Sequence, residues 1–268
     1  MTPDQEKAED WWQTKIIEME PGAIRFRGYA IQDLIGSIGF VEMIWLMLRG
    51  DLPTPAQADL LGAALVAGVD HGPQAPSIAI ARMAMTCGVG INSAMASAVN
   101  VLGDVHGGAG EQALGFYQSI LARGEDDIDR AAETAVTEAL AQGVQIGGFG
   151  HRFHPIDPRA PKLLALVDAA AAAGTISGSL ATVARAVETA LAHAKGRNIP
   201  MNIDGATAVI FGELGFPPPL CRGLFILSRS VGVLAHAYEQ SQQGGRNKGP
   251  LPKGWRWTYE GNPHRTLE

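Results

Sequence analysis

The chain has only two cysteines in 268 residues, Cys87 and Cys221, far apart and outside any CxxC spacing. That pattern supports neither a disulfide framework nor a zinc site, and the apolar neighbours of each place both in the core by expectation. Charge is sparse at 18% of residues, the formal net charge is −6, and the lysines and arginines are dispersed. With no basic face to neutralise a phosphate backbone, nucleic acid is not an expected partner. Long apolar runs are missing too. The longest, LLGAALVAGV at 60–69, is half the ~20 residues needed to cross a bilayer, and the opening MTPDQEKAED is acidic where a secretory leader would be basic and then apolar. A soluble cytoplasmic protein without membrane contact is expected. Also absent are a convincing strand alternation, an internal repeat, an HExxH pair and a GK[ST] phosphate loop.

Hydrophobic residues make up 46% of the chain, and they recur at helical spacing. Phe40, Met43, Ile44, Met47 and Leu48 fall on one face of a helix that Gly50 stops, and Leu224, Leu227, Val231, Leu234 and Tyr238 form a second such stripe. Alanine-rich runs at 130–142 and 162–194 favour helix by propensity. Between them lie RGDLPTP, DHGPQAP, GDVHGGAGE, QIGGFGHRFHPIDPRAP, KGRNIPMNIDG and GFPPP, all rich in helix-ending and turn-forming residues. The fold class is all-α, a multi-helix globule.

The polar chemistry sits in these breaks. His71, His106, His151 and Asp204 all lie at Gly- or Pro-containing helix junctions, where a rigid scaffold exposes reactive groups and unpaired backbone amides. Any one of them alone reads as a helix cap or turn former. Four together point to a shared cavity. His193 and His236 fall on alanine-rich helices and read as packed or capping residues, and His264 falls in a tail expected to fray.

GFGHRFHPIDPRA, residues 148–160, closely resembles the GHR…DPR signature of the citrate synthase family. The likeness continues in IRFRGYAIQDLI…FVEMIWLMLRGDLPT, DVHGGAGE, NIDGATAVIFGELGFP and FILSRSVGVLAHAYEQ, five ordered matches over roughly residues 24–261. Chemistry of this family joins or separates an acyl-CoA methyl carbon and an oxoacid ketone, which needs proton abstraction from a weak carbon acid and charge control on two carbonyls. The resemblance implies that Asp204 is the base for the methyl proton, that His106 hydrogen-bonds the thioester carbonyl, and that His151 serves the oxoacid carbonyl. It further implies that Arg159 and Arg229 bind substrate carboxylates and that His71 also binds substrate. Gly147, Gly148, Phe149 and Gly150 match a loop that lies against coenzyme A, with Arg152 beside it; on composition alone a plain flexible loop explains the same glycines. Coenzyme A enters as acyl-CoA substrate, and relatives need no metal.

Two departures from the common pattern stand out. The chain is well short of a typical synthase, so N-terminal helices that assist dimerisation are expected to be lost or abbreviated. DHGPQAPSIAIAR and NIDGA most resemble the citryl-CoA lyase module of ATP citrate lyase. In the tail, GRNKGPLPKGWRWTYEG keeps Tyr259 and Gly261, but the arginine that reaches the partner subunit's site is displaced. Arg246 is the candidate for it, with Lys253 or Arg256 as substitutes. The resemblance implies a homodimer with a large domain of residues 1–105 and 210–268 and a small domain of 106–209 that closes when carboxylate binds. The expected activity is citryl-CoA lyase or citrate synthase chemistry on acetyl-CoA and oxaloacetate. Two alternatives stay open: a 2-methylcitrate synthase-like enzyme using another acyl-CoA, and a non-catalytic CoA-binding paralogue.

Overall fold

The computed structural model describes residue 4 and residues 11–124, 126–252 and 254–267. It opens with a small antiparallel meander, β1 (Ile17–Glu20), β2 (Ala23–Phe26) and β3 (Tyr29–Ala30). Ile17 pairs with Phe26 and Glu20 with Ala23, so Pro21–Gly22 makes a two-residue turn; Phe26 pairs with Tyr29 across Arg27–Gly28. These strands are a minor addition to a helix-dominated fold, in a stretch whose sequence shows no convincing strand alternation. They are short, and every residue of β1 is exposed, so the alternation of Ile17 and Met19 with Glu18 and Glu20 marks no buried face.

Eleven helices follow among the described residues: α1 (Ile31–Leu34), α2 (Phe40–Arg49), α3 (Pro55–Gly68), α4 (Pro76–Thr86), α5 (Ile91–Val99), α6 (Ala109–Leu121), α7 (Ile128–Ala141), α8 (Arg159–Ala172), α9 (Ser179–Lys195), α10 (Ile203–Glu213) and α11 (Pro218–Gln243). The alanine-rich run at 162–194 is helical as its propensity favours, in two helices with the break between α8 and α9. There Glu213 accepts the backbone N–H groups of Gly178 and Leu180 at 2.9 and 2.7 Å, supplying the cap that α9 lacks locally.

Contacts group the chain into two compact units, Met1–Ala67 with Ala109–Gly223, and Gly68–Gly108 with Leu224–Glu268. This grouping differs from the division of 106–209 against both chain ends. The N-terminal helices join the middle of the chain because Trp45 of α2 packs edge-on against Phe216 at 5.3 Å, while the Arg49 guanidinium lies over both rings and donates to the Gly215 carbonyl. At the centre of the first unit, α10 packs against α6, α8 and α9. From Ile203 to Phe211 every residue except Asp204 is buried, so a helix apolar on all sides mounts one half-exposed carboxylate.

The second unit has a core that is mostly alanine, Ala75, Ala81, Ala94, Ala98 and Ala237 with Ile78 and Val233, contributed by α4, α5, α11 and the turn before α4. This reverses the expected face of α11. Of the predicted stripe only Leu224 is buried; Leu227, Val231, Leu234 and Tyr238 are exposed. In α2 likewise Phe40 is exposed while Trp45 and Leu46 are buried. Large apolar side chains gain most by burial, but tightly packed helices accept small ones, and the second effect decides which face of α11 turns inward. By length and composition α11 is the one described helix able to span a bilayer. Its charged groups are met by protein: Arg222 by Glu111, His236 by Asp70 and Glu239 by Arg82. Cys221 is buried as expected, but Cys87, the C-terminal cap of α4, is exposed because the helix ends there at a glycine turn.

Candidate active site

In the first unit Asp204 and His151 rest on one hydrogen-bonded clamp. Asn202 caps α10, its side-chain oxygen accepting the N–H groups of Asp204 at 2.9 Å and Gly205 at 3.2 Å. Its side-chain amide donates to the Gly150 carbonyl at 2.7 Å, and its backbone N–H donates to the Gly148 carbonyl at 2.9 Å. Gly150 N–H returns a bond to the Pro200 carbonyl at 2.7 Å, so 148–150 and 200–202 form a short antiparallel bridge through Phe149 and Met201. Asp204 is two residues past the clamp, His151 one. The approach requires glycine on both sides: a Cβ on Gly148, whose φ is +89°, would lie 2.8 Å from the Gly205 Cα, and a Cβ on Gly205 would run into the Gly148 carbonyl. The glycines expected to admit coenzyme A, or to make a flexible loop, thus also permit contact between the loop and α10.

His151 Nδ1 accepts the backbone N–H groups of Phe153 and His154, each at 3.1 Å. A nitrogen that accepts carries no proton, so the neutral ring holds its proton on Nε2. Burial lowers the His151 pKa, the His154 and Arg159 charges act in the same direction, and Asp157 opposes them. The His154 ring lies against that of His151 at 4.7 Å. Arg152 is exposed.

Arg159 is not an open carboxylate clamp. Its Nε and Nη2 each donate to Asp157 at 2.9 Å, and its backbone N–H adds a third bond at 3.1 Å. Asp157 is fully buried and also accepts the Ile203 N–H at 3.0 Å, tying the DPR turn to the start of α10. Burial would raise its pKa, but the Arg159 and Ile203 bonds outweigh that and hold it at about 2. One edge of the guanidinium is therefore committed within the chain. Beside the loop, Val144, Gln145, Ile146, Phe149 and Lys195 help line a cavity of about 420 Å³.

The second unit holds His71, His106, Arg229 and Arg246. His106 Nε2 accepts the backbone N–H of the buried Ser77 at 3.2 Å and lies 3.0 Å from its hydroxyl. Ser77 is in the first turn of α4, where an N–H lacks a helical partner, so His106 takes that bond and keeps its own proton on Nδ1. Burial, then the positive charge of Arg229, lowers its pKa. Arg229 is almost completely buried, donates from Nε to the Gly68 carbonyl at 3.1 Å, and stacks on Phe225 at 4.8 Å. His71 is exposed in the turn between α3 and α4. Arg246 is exposed in the tail, which Asn247 and Lys248 fasten to Thr86 through backbone N–H bonds of 3.0 and 2.9 Å. Arg256 is exposed, and Lys253 lies outside the described residues.

The structure thus gathers His151, Arg159, Asp204 and the glycine loop in one unit and His106 with Arg229 in the other. Sequence reasoning missed the residues that hold them: Asn202, Asp157 and Ser77. Asn202 was legible as a cap before a helix; the other two act through backbone N–H groups that no spacing reveals. Among the described residues no group of three or more His, Cys, Asp or Glu is arranged to hold a metal ion.

The family model described as citrate synthase, C-terminal domain, matches residues 10–61 and 53–251. The chain belongs to the citrate synthase family. It is 32% identical over 197 residues to a citrate synthase of Haloferax volcanii, covering 72% of this chain and 49% of that protein, so it spans about half the length of the curated relatives it matches. Among solved structures it resembles citryl-CoA lyase from Hydrogenobacter thermophilus, with 33% identity and a TM-score of 0.85 over 96% of this chain and 97% of that one. It also resembles the citrate synthase of Thermoplasma acidophilum in ternary complex with carboxymethyl coenzyme A and oxaloacetate, with 25% identity and a TM-score of 0.72 over 86% of this chain and 59% of that one.

Proposed function

We propose that the protein cleaves citryl-CoA to acetyl-CoA and oxaloacetate, and that the same residues run the reverse condensation. What supports this is the protonation set within each unit: in the first, His151 with its proton on Nε2 beside the α10 cap that carries Asp204; in the second, His106 with its proton on Nδ1. In condensation, Asp204 takes a proton from the acetyl methyl group while His106 Nδ1–H hydrogen-bonds the thioester oxygen as charge moves onto it. The enol carbon then attacks the oxoacid ketone, His151 Nε2–H hydrogen-bonds the developing alkoxide, and the proton that Asp204 took from the methyl group balances the one the alkoxide gains. Cleavage is the reverse: the citryl hydroxyl, hydrogen-bonded to His151, gives up its proton, the carbon–carbon bond breaks with its electron pair held in the enolate, and one proton returns to the methyl carbon through Asp204. Similarity over nearly the full length of a citryl-CoA lyase, against half the length of the synthases, supports cleavage as the working direction.

Arg229 and the outer edge of Arg159 would hold the acid's carboxylates, with His71 and Arg246 as further contacts. The glycine loop, Arg152 and the adjoining 420 Å³ cavity, to which Lys195 adds a cation, would receive coenzyme A. The exposed row Leu227, Val231, Leu234 and Tyr238 on α11 supports a homodimer in which a second copy covers it.

The test is incubation of purified protein with citryl-CoA, and separately with acetyl-CoA plus oxaloacetate, following both products. Release of acetyl-CoA and oxaloacetate, abolished in Asp204→Asn with CoA affinity retained within a few-fold, is expected. Turnover surviving in Asp204→Asn would reassign the base, and activity with propionyl-CoA alone would replace the substrate.

A further inference from the structure

Asp70, His71 and Gly72 lie in the turn between α3 and α4. His71 is exposed, yet binding a substrate acid needs an imidazole held in one direction. What fixes it lies behind the turn. One oxygen of Asp70 accepts the Gly72 N–H at 3.1 Å, and the carboxylate is also bonded by the His71 backbone N–H. Its other oxygen lies 3.3 Å from His236 Nε2. On the far side of that ring, Nδ1 is 3.0 Å from Arg82 Nη1. A guanidinium can only donate, so Nδ1 must accept, and the His236 proton must be on Nε2, the nitrogen beside Asp70.

Arg82 is anchored in turn, by Glu239 through Nη1 and by Gln243 through Nη2 at 2.6 Å. The result is a directed chain from α4 and α11 to the turn: Glu239 and Gln243 hold Arg82, Arg82 donates to His236, His236 sets Nε2 3.3 Å from the Asp70 carboxylate, and Asp70 gathers the two N–H groups that set the His71 backbone. The His236 and Arg82 side chains are only 18% and 13% exposed, so the central bonds are shielded from competing water, unlike an ordinary surface ion pair. The backbone is pressed close as well: a Cβ on Gly232 of α11 would collide with the Val69 carbonyl.

We infer that Asp70 and His236 are positioning residues for His71, a close imidazole–carboxylate pair that orients it toward the substrate acid; this rests on the acid-binding assignment of His71 above. The network touches no assigned coenzyme A contact, so its loss falls on one substrate. His236→Phe is expected to raise KM for oxaloacetate by about tenfold, with KM for acetyl-CoA moving less than about twofold, the pattern of a lost oriented hydrogen bond. His236→Gln can accept from Arg82 through its carbonyl and donate to Asp70 through its amide, and should restore most of the loss. Asp70→Asn should behave like His236→Phe, with near-ultraviolet circular dichroism checking that each variant is folded.

A second measurement needs no turnover. Long-range nitrogen–proton NMR on histidine-labelled protein should show His236 protonated on Nε2 and bare on Nδ1, and Arg82→Met should erase that preference. Equal loss on both substrates, His236→Gln no better than His236→Phe, or a proton on His236 Nδ1 in the parent would overturn the inference. A parent inactive on every substrate pair with the tautomer as expected would instead remove the acid-binding role of His71 and leave the relay standing.

Discussion

Asn202 donates its side-chain amide to the carbonyl of Gly150 across 52 residues of sequence, at 2.7 Å. The same side chain caps α10 through its oxygen, so one residue sets both the helix start that carries Asp204 and the loop that carries His151. Asn202→Ala should cost about 1–2 kcal/mol of stability, the range for losing a helix cap, and should lower turnover as well. Asn202→Asp keeps the cap but sets a carboxylate against the Gly150 carbonyl. Urea denaturation beside steady-state rates is expected to show Asn202→Asp the more stable of the two variants and still impaired in turnover. Full activity in Asn202→Asp would show that the clamp on Gly150 does not matter.

Asp157 should make the first unit acid-sensitive in a defined window. Its folded pKa of about 2 lies below the ordinary 3.8, so it contributes stability that is complete above 3.8 and is lost as pH falls toward 2. The contribution is on the order of 2 kcal/mol. Denaturation free energies measured across that window should fall with acid in the parent and fall less steeply in Asp157→Asn. Equal slopes would mean that the Arg159 pair is not what stabilises the DPR turn.

The two imidazoles predict the acid limb of the rate profile. Both pKa values lie below the ordinary 6.5, and protonation would put a hydrogen on His106 Nε2 and His151 Nδ1, the atoms that accept backbone N–H groups. Turnover should stay level as pH falls from neutral and drop only below 6.5. Because the unfolded chain takes up these protons first, stability declines over the same range. An acid limb with its midpoint above 6.5 would contradict the assigned tautomers.

Val231 lies in the exposed row on α11, 59% accessible, so a charge there disturbs little within one chain. Light scattering of the parent should give twice 28.2 kDa, and Val231→Asp should return a single-chain mass with helical circular dichroism unchanged. A parent mass of 28.2 kDa would leave the row without the proposed partner.

Helices and their breaks were legible because alanine, glycine and proline act locally: the ends of α2, α7 and α10 fall where the sequence puts them. Faces were not, because burial is decided by what approaches. Leu227 and Val231 look like core residues until Val233 and Ala237 are seen packing in their place. The site divides in the same way. His106, His151 and Asp204 are the candidates that their junctions and the family signature single out, whereas Ser77, Asp157 and Asn202 work through bonds to backbone N–H and carbonyl groups of distant segments. Arg159 shows the limit of reading a side chain by type: its charge was legible, and the buried carboxylate two residues away that occupies it was not weighed.

The unequal settings of the two cysteines give this chain a natural attachment point. Burial, with the charge of Glu111, pushes the Cys221 thiol up to about 12, leaving almost no thiolate at neutral pH, while Cys87 is exposed at the end of α4. A maleimide dye would therefore mark Cys87 alone, without any substitution. That puts a single reporter one residue past Thr86, where the tail is fastened by Asn247 and Lys248, so its emission would register the tail's docking and release in the unaltered protein.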